Sequence, residues 1–175
     1  MPFAFPRLRL VRLAAAFLVT VLAHSVVATD AARLVELNAF WSTVSRSVRE
    51  GDFDGYRATC HEEGVLVSGT SKTSYPLARA LERWKAGFVD TRAGTMKASV
   101  EFRFSQRFGD ATTAHETGIF RYATTDAAGQ SKTNFVHFEA LLVKHDTWKT
   151  LMEFQKGPGT EGEWNQLVAG AASVH

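Results

Sequence analysis

The chain has 175 residues, 45% of them hydrophobic and 22% charged, with a formal net charge of +2. That length suits one domain, and the apolar share is enough for a core without help from disulfides. Residues 1–28 hold Arg7, Arg9 and Arg12 and no acid, so removing these three from the 20 basic residues leaves 17 against 18 acidic ones; a near-neutral domain without a basic cluster argues against nucleic acid as a partner.

The N-terminus reads as a secretory leader. Its arginines are followed by the apolar run Leu13–Ala23 and then by small residues, with Val26-Val27-Ala28 fitting a cleavage site. Ala23-His24-Ser25 is a second option for cleavage. The alternative is an uncleaved anchor, although the uncharged run is shorter than the ~20 residues that a membrane span needs. The expected division is a leader over 1–28, a domain over 29–156 and a loose Gly/Ala-rich tail over 157–175. The expected product is secreted or periplasmic, with no stable membrane association after cleavage.

The spacing of Leu34, Leu37, Trp41, Val44 and Val48 predicts a helix over 31–50, capped by Asp30 and ended by Gly51. A short second helix through Tyr56 and Cys60 can be capped by Asp52 or Asp54. Cys60 is the only cysteine, so no internal disulfide is possible, and a small buried hydrophobe is the expected role. His61-Glu62-Glu63 point in different directions and make a weak metal signal. Val65–Val67 reads as a short strand and Ser68–Ser74 as a loop at a pocket mouth. Ser74 and Pro76 suit the start of a third helix, whose stripe is Leu77, Leu81, Trp84 and Phe88.

Four alternating segments follow, over about 96–108, 111–124, 131–144 and 147–156, with turns at Gly109-Asp110, Asp126–Gly129 and His145-Asp146. Side chains alternate along a strand, so the turns decide which residues share a face. These turns set Arg103 opposite Glu116, Glu116 opposite Glu139, Gly118 opposite His137, Phe120 opposite Phe135, and Glu139 opposite Met152. One face then gathers Arg103, Glu116, Tyr122, His137 and Glu139 among Phe120, Phe135, Leu141, Trp148, Met152 and Phe154.

A polar cluster ringed by apolar side chains is the pattern of a small-molecule pocket. Two carboxylates close together in an apolar cavity cannot both ionise freely, so one should hold its proton more tightly. Glu139 is the expected base, His137 its proton partner, and Arg103 with Glu116 the charge pair. Tyr122, Trp84, Tyr56, Phe120, Phe135 and Met152 are the expected ligand contacts. Two alternatives remain open: a structural cross-strand network, and a divalent ion held by His137, Glu139 and Glu116. The opposite face, with Phe102, Phe104, His115, Thr117, Val136, Phe138, Leu151, Glu153 and Gln155, is also half apolar, which motivates a homodimer.

Several segments resemble the nuclear transport factor 2-like superfamily, and its SnoaL-like branch above all. They are Phe40-Trp41 with Arg49–Phe53, Glu116-Thr117-Gly118, and Leu142–Lys144 leading to Trp148-Lys149. The resemblance covers about 31–156 and implies an α+β cone, a curved mixed or antiparallel sheet wrapped over three N-terminal helices. It implies a small, largely apolar organic ligand and cofactor-free acid/base chemistry of the isomerase, cyclase, lyase or hydrolase kind. A non-catalytic assembly domain is the competing class. Matching the last hairpin to the association domains of calmodulin-dependent kinases puts Glu139 where those have a pocket Arg. The Asp-Arg-Asp set of limonene epoxide hydrolase is echoed in type, not in spacing, by Glu116, Arg103 and Glu139. The fold itself does not carry an activity.

Overall fold

A computed structural model describes residues 11–167, with side chains from residue 30 to 167. Helices α1 (Val11–Glu50) and α2 (Phe53–Ala58) precede strands β1 (Cys60–Ser68) and β2 (Thr73–Pro76). Then come α3 (Leu77–Arg92), β3 (Met96–Gly109), β4 (Thr113–Asp126), β5 (Ser131–Lys144), β6 (Trp148–Pro158) and a short α4 (Glu161–Gln166). The strands form one six-stranded sheet in the order β2-β1-β6-β5-β4-β3. β1 runs parallel to β6, and every other neighbouring pair is antiparallel. The sheet curves without closing, and α1, α2 and α3 pack in its concave side.

The inward stripe of α1 is Leu37, Phe40, Trp41, Val44 and Val48, all buried, as the helical spacing requires. The helix is longer than expected. No Gly or Pro lies between Pro6 and Gly51, so nothing in the sequence stops the helix at Asp30, which instead pairs with Arg33 at 3.0 Å one turn later. Gly51 does end it, at φ +65°, where a Cβ would meet the backbone nitrogen of Arg92 at 2.4 Å. Asp52 then caps α2, its carboxylate accepting from the Gly55 amide at 3.1 Å. The expected leader, 1–28, lies outside the described residues over 1–10 and is described only as the backbone of α1 from residue 11. Among the described residues no helix is long and apolar enough to cross a membrane.

Three local readings need correction. Cys60 opens β1 rather than ending a helix, because Thr59 and Cys60 are drawn into pairing with β6: the Thr150 amide donates to the Thr59 carbonyl at 2.8 Å. Ser74 does not cap α3. It pairs with Val67 across the sheet edge, leaving Pro76 as the residue before the helix with no side-chain cap. The chain after Gly159 is not loose throughout, since Thr160 and Glu163 form a reciprocal capping box that starts α4. Residues 168–175 lie outside the described residues.

The strand bounds match the alternation, but the register does not, and the cause is the same in each hairpin. All three connections are longer than the turns read from sequence. The Asp110 carboxylate accepts from the Thr112 and Thr113 amides at 2.7 and 2.8 Å, so Gly109 pairs with Ala114. The Asp126 carboxylate accepts from the Ala128 and Gln130 amides, both at 2.9 Å, pulling Gln130 into the loop, so Thr125 pairs with Ser131. Lys144 pairs with Trp148, leaving three residues in the last turn. Bulges add to this, one at Ser105 in β3 and two in β6, at Leu151 and Lys156. Near the first, Gly118 passes so close to β3 that a Cβ would sit 2.0 Å from the Arg103 carbonyl oxygen.

In consequence Arg103 faces Ile119, Glu116 faces Arg107 and Ala140, Phe120 faces Val136, His137 faces Ile119, and Glu139 faces Thr117 and Phe154. The face proposed from sequence is thereby divided. Glu116, Phe120, Tyr122 and Trp148 point to the concave side, while Arg103, Phe135, His137, Glu139, Leu141, Met152 and Phe154 point to the convex side. Phe102, Phe104, Val136, Phe138, Glu153 and Gln155 join the concave side, where Phe104 and Phe138 are buried at the centre of the core.

Candidate functional site

The concave sheet and the helices enclose a cavity of about 780 Å³, within the range of small-molecule sites. Trp41, Val44 and Val48 of α1, Tyr56 of α2, and Trp84 and Phe88 of α3 form its helical wall. Ala98, Val100, Phe102, Phe120, Tyr122, Val136 and Phe138 form the sheet wall, and Cys60, Thr150, Glu153 and Gln155 the side towards β1 and β6. The exposed lining residues Thr70, Arg83, Asn134 and Pro158 mark the mouth. The aromatic rings support one another. Trp41 lies 4.3 Å from Phe102 and Tyr56 stands edge-on to Trp84 at 6.0 Å, centroid to centroid.

Glu153 is the one acid among the residues lining this cavity, and Arg83 the one base. Arg83 is exposed at the rim and spans the ring of Tyr75, 5.2 Å away. Inside, Glu153 receives a hydrogen bond from the Gln155 amide at 2.7 Å. Alternation places both on the same face of β6, and Glu153 has no ion-pair partner among the described residues. It lines the cavity, and desolvation there raises its carboxyl above the ordinary value of 4.5, against the Gln155 hydrogen bond. Burial likewise pushes the Tyr56 phenol well above 10.0, with the Glu153 charge, Cys60 and Tyr122 adding to the rise. Burial and then Glu153 push the Cys60 thiol up to about 12. Tyr122 also rises through burial. The four groups share one electrostatic neighbourhood.

The residues singled out from sequence fall into three places. Tyr56, Trp84, Phe120 and Tyr122 line the cavity. Phe135 borders it at the rim, but its ring packs at a tilt against Trp164 of α4, 5.9 Å away. Met152 is on the convex side, opposite Leu141. Of the expected catalytic groups, Glu116 is on the concave side but fully buried and locked: Trp41 Nε1 and Arg107 Nε both donate to its carboxylate. Arg103, His137 and Glu139 are on the convex side. Arg103 donates to the carbonyls of Trp164 and Leu167 at 2.8 and 3.0 Å and covers the Trp164 ring. His137 lies 3.3 Å from Glu163. Glu139 accepts from Lys156 at 2.8 Å and lies 3.3 Å from His115. The Lys156 bond, more than anything else, lowers its carboxyl, the reverse of the rise expected there. The set His137, Glu139 and Glu116 is not brought together for a metal, and no cluster of three or more His, Cys, Asp or Glu among the described residues could hold one.

Sequence reasoning missed Glu153 and Gln155 as the cavity's polar pair. The signal was present in Leu151–Gln155, where two polar residues alternate with apolar ones on a strand whose neighbours contribute Val136 and Phe138 to the same face. It went unused because the slipped register placed them away from the aromatic wall.

No family model matches the chain, and no curated protein matches its sequence. Solved structures do match in fold. A conserved protein from Planctomyces limnophilus superposes with a TM-score of 0.58 at 9% identity, covering 69% of this chain and 91% of its own. A ketosteroid isomerase-like protein from Erwinia carotovora atroseptica gives 0.52 at 16% identity, over 70% of this chain and 93% of its own. A nuclear transport factor 2-like superfamily protein from Salmonella enterica serovar Typhimurium gives 0.56 at 11%, over 76% and 96%. At these identities the likeness is one of architecture, and with it the chain has the nuclear transport factor 2-like fold.

Proposed function

We propose that the cone binds a small, largely apolar organic molecule, and that Glu153 is the group that exchanges a proton or hydrogen bond with it. The observation that carries this reading is a single carboxyl without a counter-charge inside an aromatic cavity of about 780 Å³. Keeping a carboxyl in such a place is costly unless something compensates it, and groups of this kind concentrate at functional sites. Tyr56 and Tyr122 stand as neutral phenols that can donate to a carbonyl or hydroxyl. The chemistry such a set supports is cofactor-free proton transfer, as in the SnoaL-like branch. Glu153 takes the role of the acid/base in place of Glu139.

Native mass spectrometry of protein purified from its own source tests this. A defined small-molecule mass that is lost on Val136→Trp, which fills the cavity, supports the reading. Retention of the same mass after filling refutes it.

We also read the convex side, with Leu141, Met152 and Phe154 half buried, as the surface of a homodimer in an exported protein. A monomeric mass in solution sinks the dimer. An intact mass that retains residues 1–28 sinks the export.

A further inference from the structure

We propose that the ligand of the cavity carries a protonated amine, whose ammonium group pairs with Glu153 while its apolar body lies among the aromatic rings. This rests on the reading of the cavity as a small-molecule site and names the class of molecule that fits it.

Three other carboxylates on the sheet and α1 are paired. Glu116 is held by Arg107 and Trp41, Glu139 by Lys156 and His115, and Glu36 by Lys144 at 2.6 Å and Trp148 at 2.8 Å. Each has a cation beside it. Glu153 has only the uncharged amide of Gln155, which occupies Oε1 at 2.7 Å, and no described group donates to Oε2. Arg83, the one basic residue at the cavity, is committed at the rim to the ring and hydroxyl of Tyr75.

The three possible ligand charges then differ sharply. An anion would meet Glu153 without an interior cation to offset it. A neutral molecule would leave the carboxylate uncompensated, or obliged to hold a proton. An ammonium supplies both the missing charge and three donors. Aromatic walls suit a cation that has left water, and Trp41, Trp84, Tyr56 and Phe102 line this cavity. The raised phenol of Tyr56 is consistent with this, since the charge of Glu153 reaches it.

The test uses three probes with one apolar body: 2-naphthylmethylamine, 2-naphthylmethanol and 2-naphthoate, titrated calorimetrically into the full chain at neutral pH. The amine is expected to bind at least about tenfold more tightly than the alcohol, as a desolvated cation–carboxylate contact implies, and the carboxylate not measurably. In Glu153→Gln the preference for the amine over the alcohol should disappear. The inference is overturned if the alcohol or the carboxylate equals the amine, or if the preference survives in Glu153→Gln. The ranking in the natural chain decides by itself should that variant fail to fold. If none of the three binds, the small-molecule reading of the cavity falls, and this inference with it.

Discussion

Glu116→Ala is the substitution whose cost the structure allows to be worked out. The carboxylate has no exposed surface, and the side chain of Arg107 is only 2% exposed. Arg107 Nε and Trp41 Nε1 both donate to it, and Arg107 NH1 continues to Asn38 Oδ1 at 2.6 Å. Removing the carboxylate leaves a guanidinium buried without its counter-charge and an indole N–H without its acceptor. Breaking one partner of a buried pair costs about 3–5 kcal/mol, a fifth or more of the roughly 5–15 kcal/mol that holds a domain folded. At about 2–4 °C per kcal/mol for a chain of this size, the midpoint should fall by roughly 6–20 °C. Urea unfolding, read with the melting curve, measures it. The double change Glu116→Leu with Arg107→Met removes both charges and should recover most of the loss, since an apolar pair of similar volume is often neutral there. A loss below about 1 kcal/mol in Glu116→Ala would refute the reasoning, because the guanidinium would then have found water. Where the variant remains folded, probe binding in the cavity should be unchanged, which separates this structural pair from a catalytic role for Glu116.

Glu153 gives the opposite sign. Its carboxyl is raised in the folded chain, so between the ordinary value of 4.5 and the raised one the folded state binds more protons than the unfolded state, and stability falls as pH rises through that window. Glu153→Gln abolishes that fall, so its melting temperature should gain on the natural chain from pH 4 to pH 7; parallel curves would rule the cause out. With its thiol at about 12, Cys60 should alkylate with iodoacetamide at pH 8 roughly three orders of magnitude more slowly than an ordinary cysteine. A rate like that of free cysteine would show that the cavity admits water around it. Trp164→Ala should release α4, because the ring is clasped by Arg103 and Phe135. Hydrogen exchange is expected to speed up in residues 160–167 and not in β5, and no change in α4 would mean that the capping box alone holds it.

Most of the elements could be read from the sequence and the faces could not. Alternation marks β3 to β6 to within a few residues, and the helical stripes of α1 and α3 give their buried sides, because both depend on local spacing alone. Register depends on loop length, and there the aspartates decided. Asp110 and Asp126 each accept two backbone amides, which lengthens their loops beyond what Gly-Asp or Asp-Ala-Ala-Gly suggests. An odd error in the count moves Glu139 and His137 from the cavity to the outside and brings Glu153 in. Tyr56, Trp84, Phe120 and Tyr122 reached the cavity because the helical pair depends on spacing, and the β4 pair sits on the strand against which the others were misregistered. The capping box of α4 is visible as Thr160-Glu161-Gly162-Glu163, hidden by the Gly-rich composition around it.

The bulges at Ser105 and Leu151 act as changes of phase. Before Ser105 the even-numbered residues of β3 point inward, from Met96 to Phe104; after it the odd-numbered Arg107 does, and so reaches Glu116. In β6 the inward set passes from Trp148 and Thr150 to Glu153 and Gln155 across Leu151. A strand of fixed parity could line a cavity or complete a salt link at a given position, but the same parity could not serve both. Each extra residue therefore divides its strand into two independently addressed segments. One segment can change its contents to suit a guest while the other keeps the pairs that hold the cone together.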